Sequence, residues 1–399
     1  MKSVVVDKVA SVAQHSDLGH ELRLSPDIPC EEGVLVAVRV LNNKTRYNQL
    51  ELTSGRMATV NQGDIVVGAL GHRKALRGYS GHLPAELTVG DSIQLLNIGG
   101  VLGVCDSANP DVGPPFDCEV LGTVLHFPYL GERIGVPARA GATTLDPEAP
   151  LDMQGVPVVA LAGTCMDSGK TAAACAIVGR LRHLGFHVAA CKATGVSLRR
   201  DILTMEDAGA TETMIFSDLG IVTTTAENGP ALTRALLTSL AAHKPDVIVL
   251  ELGDGLLGAY GVEAILSDES IRDAFTAVIL CANDPVSAWG GARILRDSFG
   301  IEPAVVTGPA TDNAVGIDQI AERMSLPAIN ALSRPHRTPK ISLPARNMAT
   351  TIKVESSALS ERPSRVNRVR MGAWGLLTDR MAPEVSLQNI ERWPSMSAS

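Results

Sequence analysis

The stretch "ALAGTCMDSGKTAAACAIVGRL", Ala160 to Leu181, limits the fold more than any other part of the chain. An apolar run enters a short loop that closes on Gly169, Lys170 and Thr171. Apolar residues then recur at helical spacing, at Ala174, Ile177, Val178, Leu181 and Leu184. Buried strand, glycine loop and amphipathic helix, in that order, are the layout of a phosphate-binding loop. The strict pattern is glycine, four residues, then Gly-Lys-Ser/Thr. Here Thr164 holds the first position and the glycine stands one residue earlier, at Gly163. That change is harmless provided the position needs no positive φ. The backbone from Gly163 through Thr164, Cys165, Met166, Asp167, Ser168 and Gly169, with the helix N-terminus behind it, would surround a β-phosphate. Lys170 would span the β- and γ-phosphates, and the Thr171 hydroxyl would hold Mg²⁺.

The rest of the chain supplies a setting for this loop. From Val156 the texture alternates. "VPVVALA", "HVAAC", "DVIVLE", "AVILC" and "PAVVTG" read as strands. "PALTRALLTSLAAHK", "VSAWGGARILRDSF" and "DNAVGIDQIAERM" read as helices. This predicts an α/β unit over 156–335, a mostly parallel sheet with helices on both faces. Upstream, runs such as "VVVDKV", "GVLVAVRVL" and "GDIVVGALG" are cut at close intervals by Gly, Asp and Pro. They predict a smaller β-rich domain over 1–140, a barrel or a sandwich. "PARAGATTLDPEAPLDMQGVP" has no period and predicts a linker over 141–155. A polar C-terminal extension, 336–399, carries arginines at 362, 365, 368 and 370.

Composition narrows the function classes. The 399 residues suit two or three domains, and a net charge of -8 argues against a whole-chain nucleic-acid binder. Seven cysteines, without a Cys-x-x-Cys pair, predict reduced thiols in a cytoplasmic protein and no zinc site. Cys191 and Cys281 sit in apolar runs, as small hydrophobes do. No signal peptide and no membrane span are expected. The partner expected is a small molecule, and self-association into a homo-oligomer stays open.

"GTCMDSGKTAAACAIVGRLRHLGFHVAACKATG" resembles the N-terminal part of dethiobiotin synthetase and its relatives among the P-loop NTPases, which have Gly-Thr, four residues and Gly-Lys-Thr. The resemblance covers roughly residues 156 to 330. It also reaches a poorly characterised bacterial P-loop family, through "KATG", "RRD", "DAGA" and "ELGDGLL". It implies that Lys192 is the family's second lysine, although Ala193 stands where the family has proline. It implies that Glu251 is a strand-end magnesium ligand, and that a carboxylate after the second lysine, Asp201 or Asp207, helps hold the metal. Spacing does not choose between those two aspartates, and Asp254 competes with Glu251. A solvated loop carboxylate or a buried structural one is the plain alternative for each.

Lys192 ends a strand, where it would offset charge on a transferred phosphoryl group. Ser197, Arg199 and Arg200 are candidates for binding an acceptor's anion, or simply for pairing with surface acids. Asn283 and Asp284 follow a strand, where Asp284 suits loop capping better than base recognition. "LGHRKALRGYSGHLP" groups His72, Arg73, Lys74, Arg77, Tyr79 and His82. It reads equally as a basic substrate or RNA-contact loop or as a turn on a barrel rim.

The resemblance implies an enzyme that uses Mg-ATP to phosphorylate or activate a small carboxylate or carbamate for attack by an amine. Lys170 and Lys192 would be its catalytic residues. The alternative is a nucleotide-gated switch or cofactor-maturation NTPase acting with a protein partner. The extra early lysine of ParA-like loops is missing here, and so is a guanine-specific Asn-Lys-x-Asp, which favours ATP. A polynucleotide kinase and an amino-acid acyltransferase are more remote.

Overall fold

The structure is a computed structural model that describes residues 1–129, 131, 133–141 and 145–333. The C-terminal extension, with its four arginines, lies outside the described residues.

The first part of the chain is β-rich, with one 3-10 helix at Ser11–Ser16. It comprises β1 (Lys2–Val5), β2 (Lys8–Val9), β3 (Glu21–Ser25), β4 (Leu35–Val40), β5 (Gln49–Glu51), β6 (Met57–Thr59), β7 (Ile65–Leu70), β8 (Arg73–Lys74) and β9 (Tyr79–His82). β10 (Ser92–Leu95), β11 (Val101–Ala108), β12 (Phe116–His126) and β13 (Val136–Pro137) complete it. Pairing runs from β12 to β4, β7, β11 and β10, and β10 pairs back onto β12. The circuit closes, so the choice between barrel and sandwich falls to a barrel. Closure removes the sheet edges that a small open sheet would expose. β4 and β7 are buried on both faces, at Leu35, Val36, Val38, Val66 and Val67 among others, so one face fills the barrel and the other is covered from outside.

The second part alternates as the sequence predicts. β14 (Val158–Gly163), α1 (Lys170–His183), β15 (Val188–Lys192), α2 (Arg200–Asp207), β16 (Glu212–Ile215), α3 (Gly229–Ala242) and β17 (Val247–Glu251) come first. α4 (Val262–Ser267), α5 (Glu269–Ala274), β18 (Phe275–Cys281), α6 (Pro285–Phe299), β19 (Val305–Thr307) and α7 (Ala314–Met324) follow. The six strands form a parallel sheet in the order β16-β15-β17-β14-β18-β19. β14 and β17 are buried at every residue, which is why both read as unbroken apolar runs. All seven cysteines are free, and Cys191 and Cys281 are buried in this sheet. Asp284 caps α6, accepting from the backbone N–H of Val286 and Ser287 at 2.8 Å each.

Barrel and sheet are joined by buried polar contacts. Asn97, on the turn after β10, donates through Nδ2 to the Ser197 carbonyl at 2.8 Å, and its Oδ1 accepts from Val101 N–H at 2.9 Å. Glu51 accepts from Arg199 N–H at 2.7 Å, and Glu32 from Thr223 N–H at 2.8 Å. Val222 of the second part sits inside the barrel's hydrophobic core. Among the described residues no helix is long and apolar enough to cross a membrane.

Asn97→Ala leaves the Ser197 carbonyl and the Val101 N–H without these partners. It should cost about 1–3 kcal/mol, read as a lower denaturant midpoint against wild type.

Candidate functional site

Strand register builds the site. Lys192 at the end of β15 stands beside Glu251 at the end of β17, and Glu251 stands beside Leu161 of β14. The glycine loop leaves β14 two residues beyond Leu161. Two lysines and a carboxylate therefore gather at the carboxyl ends of the central strands, where open α/β sheets bind ligands.

The displaced glycine has a steric reason. A Cβ at Gly163 would lie 2.4 Å from Ser168 Oγ and 2.8 Å from Lys170 Nζ. The Lys170 side chain folds back over that backbone, so the glycine is needed there. Thr164 is not among the residues of positive φ. The left-handed positions in the loop are Asp167, at 56°, and Gly169, at 86°. The Lys170 ammonium donates to the Cys165 carbonyl at 2.8 Å, to Ser168 Oγ at 3.4 Å and to the Asp254 carbonyl. Its burial lowers its pKa, against the opposing pull of Glu251.

The Lys192 ammonium is shared. It pairs with Asp201 Oδ2 and stands 3.7 Å from Glu251 Oε1. Thr171 donates to the same Oε1 at 3.1 Å. Burial penalises the Asp201 charge, but Lys192 outweighs that penalty and holds the carboxyl below its ordinary value. Burial wins at Glu251 and raises its carboxyl. Burial also raises Asp254.

The donor set fits a hard divalent cation. Glu251 Oε2 is buried without a hydrogen-bond partner, on the carboxylate that the Thr171 hydroxyl already meets. A hydroxyl and one or two carboxylates are the kind of partial ligand set that Mg²⁺ takes, the rest of its shell being water and phosphate oxygens.

A cavity of about 700 Å³ opens onto this cluster. Met166, Asp167, Gly169, Lys170 and Thr171 line it from the loop and α1, and Lys192, Asp201, Glu251 and Asp254 line it from the sheet end. The two aspartates left open after the second lysine are placed differently. Asp207 is exposed at the C-terminal end of α2 and does not line the cavity, whereas Asp201 is one turn and more nearer the sheet, against Lys192. Arg200 lines the cavity. Arg199 instead turns to the barrel and donates to the Thr53 carbonyl at 3.1 Å.

Sequence reasoning found only part of the barrel's share. Tyr47, Arg73 and Asn97 line the same cavity, as does Tyr260 of the second part. Arg73 belongs to the basic loop of the sequence, and Tyr47 and Asn97 carried no signal. In that loop Arg77 reaches Asp167 of the phosphate loop at 3.2 Å, an exposed pair of small energetic weight. His82 pairs with Asp106 at 2.7 Å, and His72 accepts from Leu83 N–H at 3.3 Å.

A buried parallel strand, the Gly-Lys-Thr loop and a carboxylate ending the adjacent strand now stand together. This is a P-loop NTPase fold. No family model matches the chain, and no curated protein matches it. Parts of it are similar to solved structures. The signal recognition particle receptor FtsY from Elizabethkingia anophelis is 14% identical over 43% of this chain and 57% of its own, with a TM-score of 0.34. The signal recognition particle 54 kDa protein from Aeropyrum pernix, in complex with GDP, is 18% identical over 47% and 43%, with a TM-score of 0.33. Hydrogenase maturation factor HypB from Archaeoglobus fulgidus is 15% identical over 44% and 81%, with a TM-score of 0.31. The chain thus spans little more than half the length of that FtsY. Likeness at this level carries no argument about activity. The fold rests on strand order and loop geometry.

Because Asp201 is depressed, its contribution to stability is present above the ordinary value of 3.8 and is lost as pH falls through the lower folded value. Asp201→Asn should lower the thermal midpoint at pH 7 and flatten the acid-side decline. Midpoints measured from pH 7 down to pH 2 would check both.

Proposed function

We propose that this chain is a Mg-ATP-dependent phosphotransferase or ligase that activates a small carboxylate or carbamate for attack by an amine. One observation carries the reading: the cavity at the phosphate loop also contains a second lysine and extends to residues of the barrel. A site for hydrolysis alone needs no such added polar lining.

In this reading the loop amides and Lys170 bind the β- and γ-phosphates. Thr171 and Glu251, with Asp201 nearby, would hold Mg²⁺, which would neutralise phosphate charge. The bond from the γ-phosphorus to the bridging oxygen breaks, and ADP leaves with the electron pair. A new bond forms from phosphorus to an oxygen of the acceptor. Lys192 sits where it offsets charge on the moving phosphoryl group, and Asp201 and Glu251 keep it protonated and oriented.

A nucleotide-gated switch is the second reading. Contact between the phosphate loop and the barrel, where Arg77 meets Asp167, favours it, because the two parts meet beside the nucleotide loop.

Turnover of ATP and GTP should be measured against a panel of small carboxylates and amines. Stimulation by one metabolite with stoichiometric nucleoside diphosphate supports the enzyme. Basal hydrolysis raised only by another protein supports the switch. Lys170→Ala should abolish nucleotide binding while leaving the fold intact by circular dichroism. Lys192→Ala should lower turnover about 10²–10³-fold with nucleotide affinity kept.

A further inference from the structure

Arg73 is a buried guanidinium, 6% exposed, at the barrel side of the cavity. It is held firmly. Its carbon lies 5.6 Å from the Tyr47 ring centroid and 5.9 Å from that of Tyr79. Gly78 lets the backbone pass close against it, since a Cβ there would lie 2.6 Å from Nη2. Among the described residues both of its side-chain hydrogen bonds come from Nη1, to Tyr47 Oη at 3.0 Å and to the Leu96 carbonyl. Nη2 and Nε donate to no acceptor among the described residues.

No carboxylate among the described residues pairs with it. The other well-buried cations differ. Lys192 has Asp201 and Glu251, Lys8 has Asp64 at 2.6 Å, Arg234 has Asp268, and Lys170 is ringed by oxygens. A buried charge without a counter-charge is costly, and aromatic faces offset only part of that. The remaining donors, Nε and Nη2, form the planar edge that matches a carboxylate with two parallel hydrogen bonds.

We propose that Arg73 anchors a carboxylate of the acceptor, separate from the group that reacts. The acceptor is then a small molecule bearing at least two oxyanion-forming groups, one bound by the barrel and one presented to Lys192. This rests on the acceptor reading above. It assigns the barrel a role in substrate selection.

The test uses the full chain, with Arg73→Gln and Arg73→Lys beside wild type. Arg73→Lys keeps the charge and loses the planar fork, and it guards against Arg73→Gln failing to fold. Acetate, succinate, glutarate, citrate and inorganic phosphate are titrated calorimetrically, with and without a hydrolysis-resistant ATP analogue and Mg²⁺. A fluorescent ATP analogue reports nucleotide affinity separately. The expected result is that at least one dicarboxylate binds wild type and binds both variants at least about tenfold more weakly, with nucleotide affinity unchanged. The proposal is overturned if no carboxylate binds wild type, if all proteins bind the probes equally, or if only phosphate binding depends on Arg73. Failure of wild type to bind the nucleotide analogue would sink the ATP reading instead. Arg73-dependent carboxylate binding without nucleotide would still support the anchor.

Discussion

The Lys192 ammonium, held between Asp201 and Glu251, is the interaction on which the site depends. It ties the end of β15 to α2 and to the end of β17. Removing either acid would leave a buried cation short of a counter-charge, and removing the lysine would leave two carboxylates facing each other. Glu251 also receives the Thr171 hydroxyl, so the same cluster fixes the first turn of α1 against the sheet. Loop, helix and two strand ends are held by one small electrostatic network.

The barrel matters because of where its turns fall. Its closed circuit buries its own apolar interior and presents Tyr47, Arg73 and Asn97 to the mouth of the phosphate loop. Asn97, Glu51 and Glu32 hold it there through backbone groups of the second part, a geometry that tolerates little sliding. A P-loop sheet alone would offer an open crevice. With the barrel seated, that crevice gains a second wall, and selectivity can reside in residues remote in sequence from the nucleotide loop.

Several local features are legible in the order of residues alone. The phosphate loop is one, because strand, glycine turn and helix are contiguous and each obeys short-range rules. Glu251 and Lys192 are others, because each ends an apolar run, and a charged residue there sits best where a strand emerges at the carboxyl end of the sheet. The reason for Gly163 is not legible in this way, since it lies in the path of a side chain seven residues further on.

What the sequence determined by itself is therefore local: element types, the loop that suits phosphate, and the charged strand ends. Their periodicity and spacing are written in neighbouring residues. Tertiary structure alone decided which strands adjoin, that Asp201 and not Asp207 meets Lys192, and that Arg73 enters the same chamber as Lys170. Those outcomes depend on register and on the docking of two cores, where residues about a hundred positions apart come into contact through burial rather than through pattern.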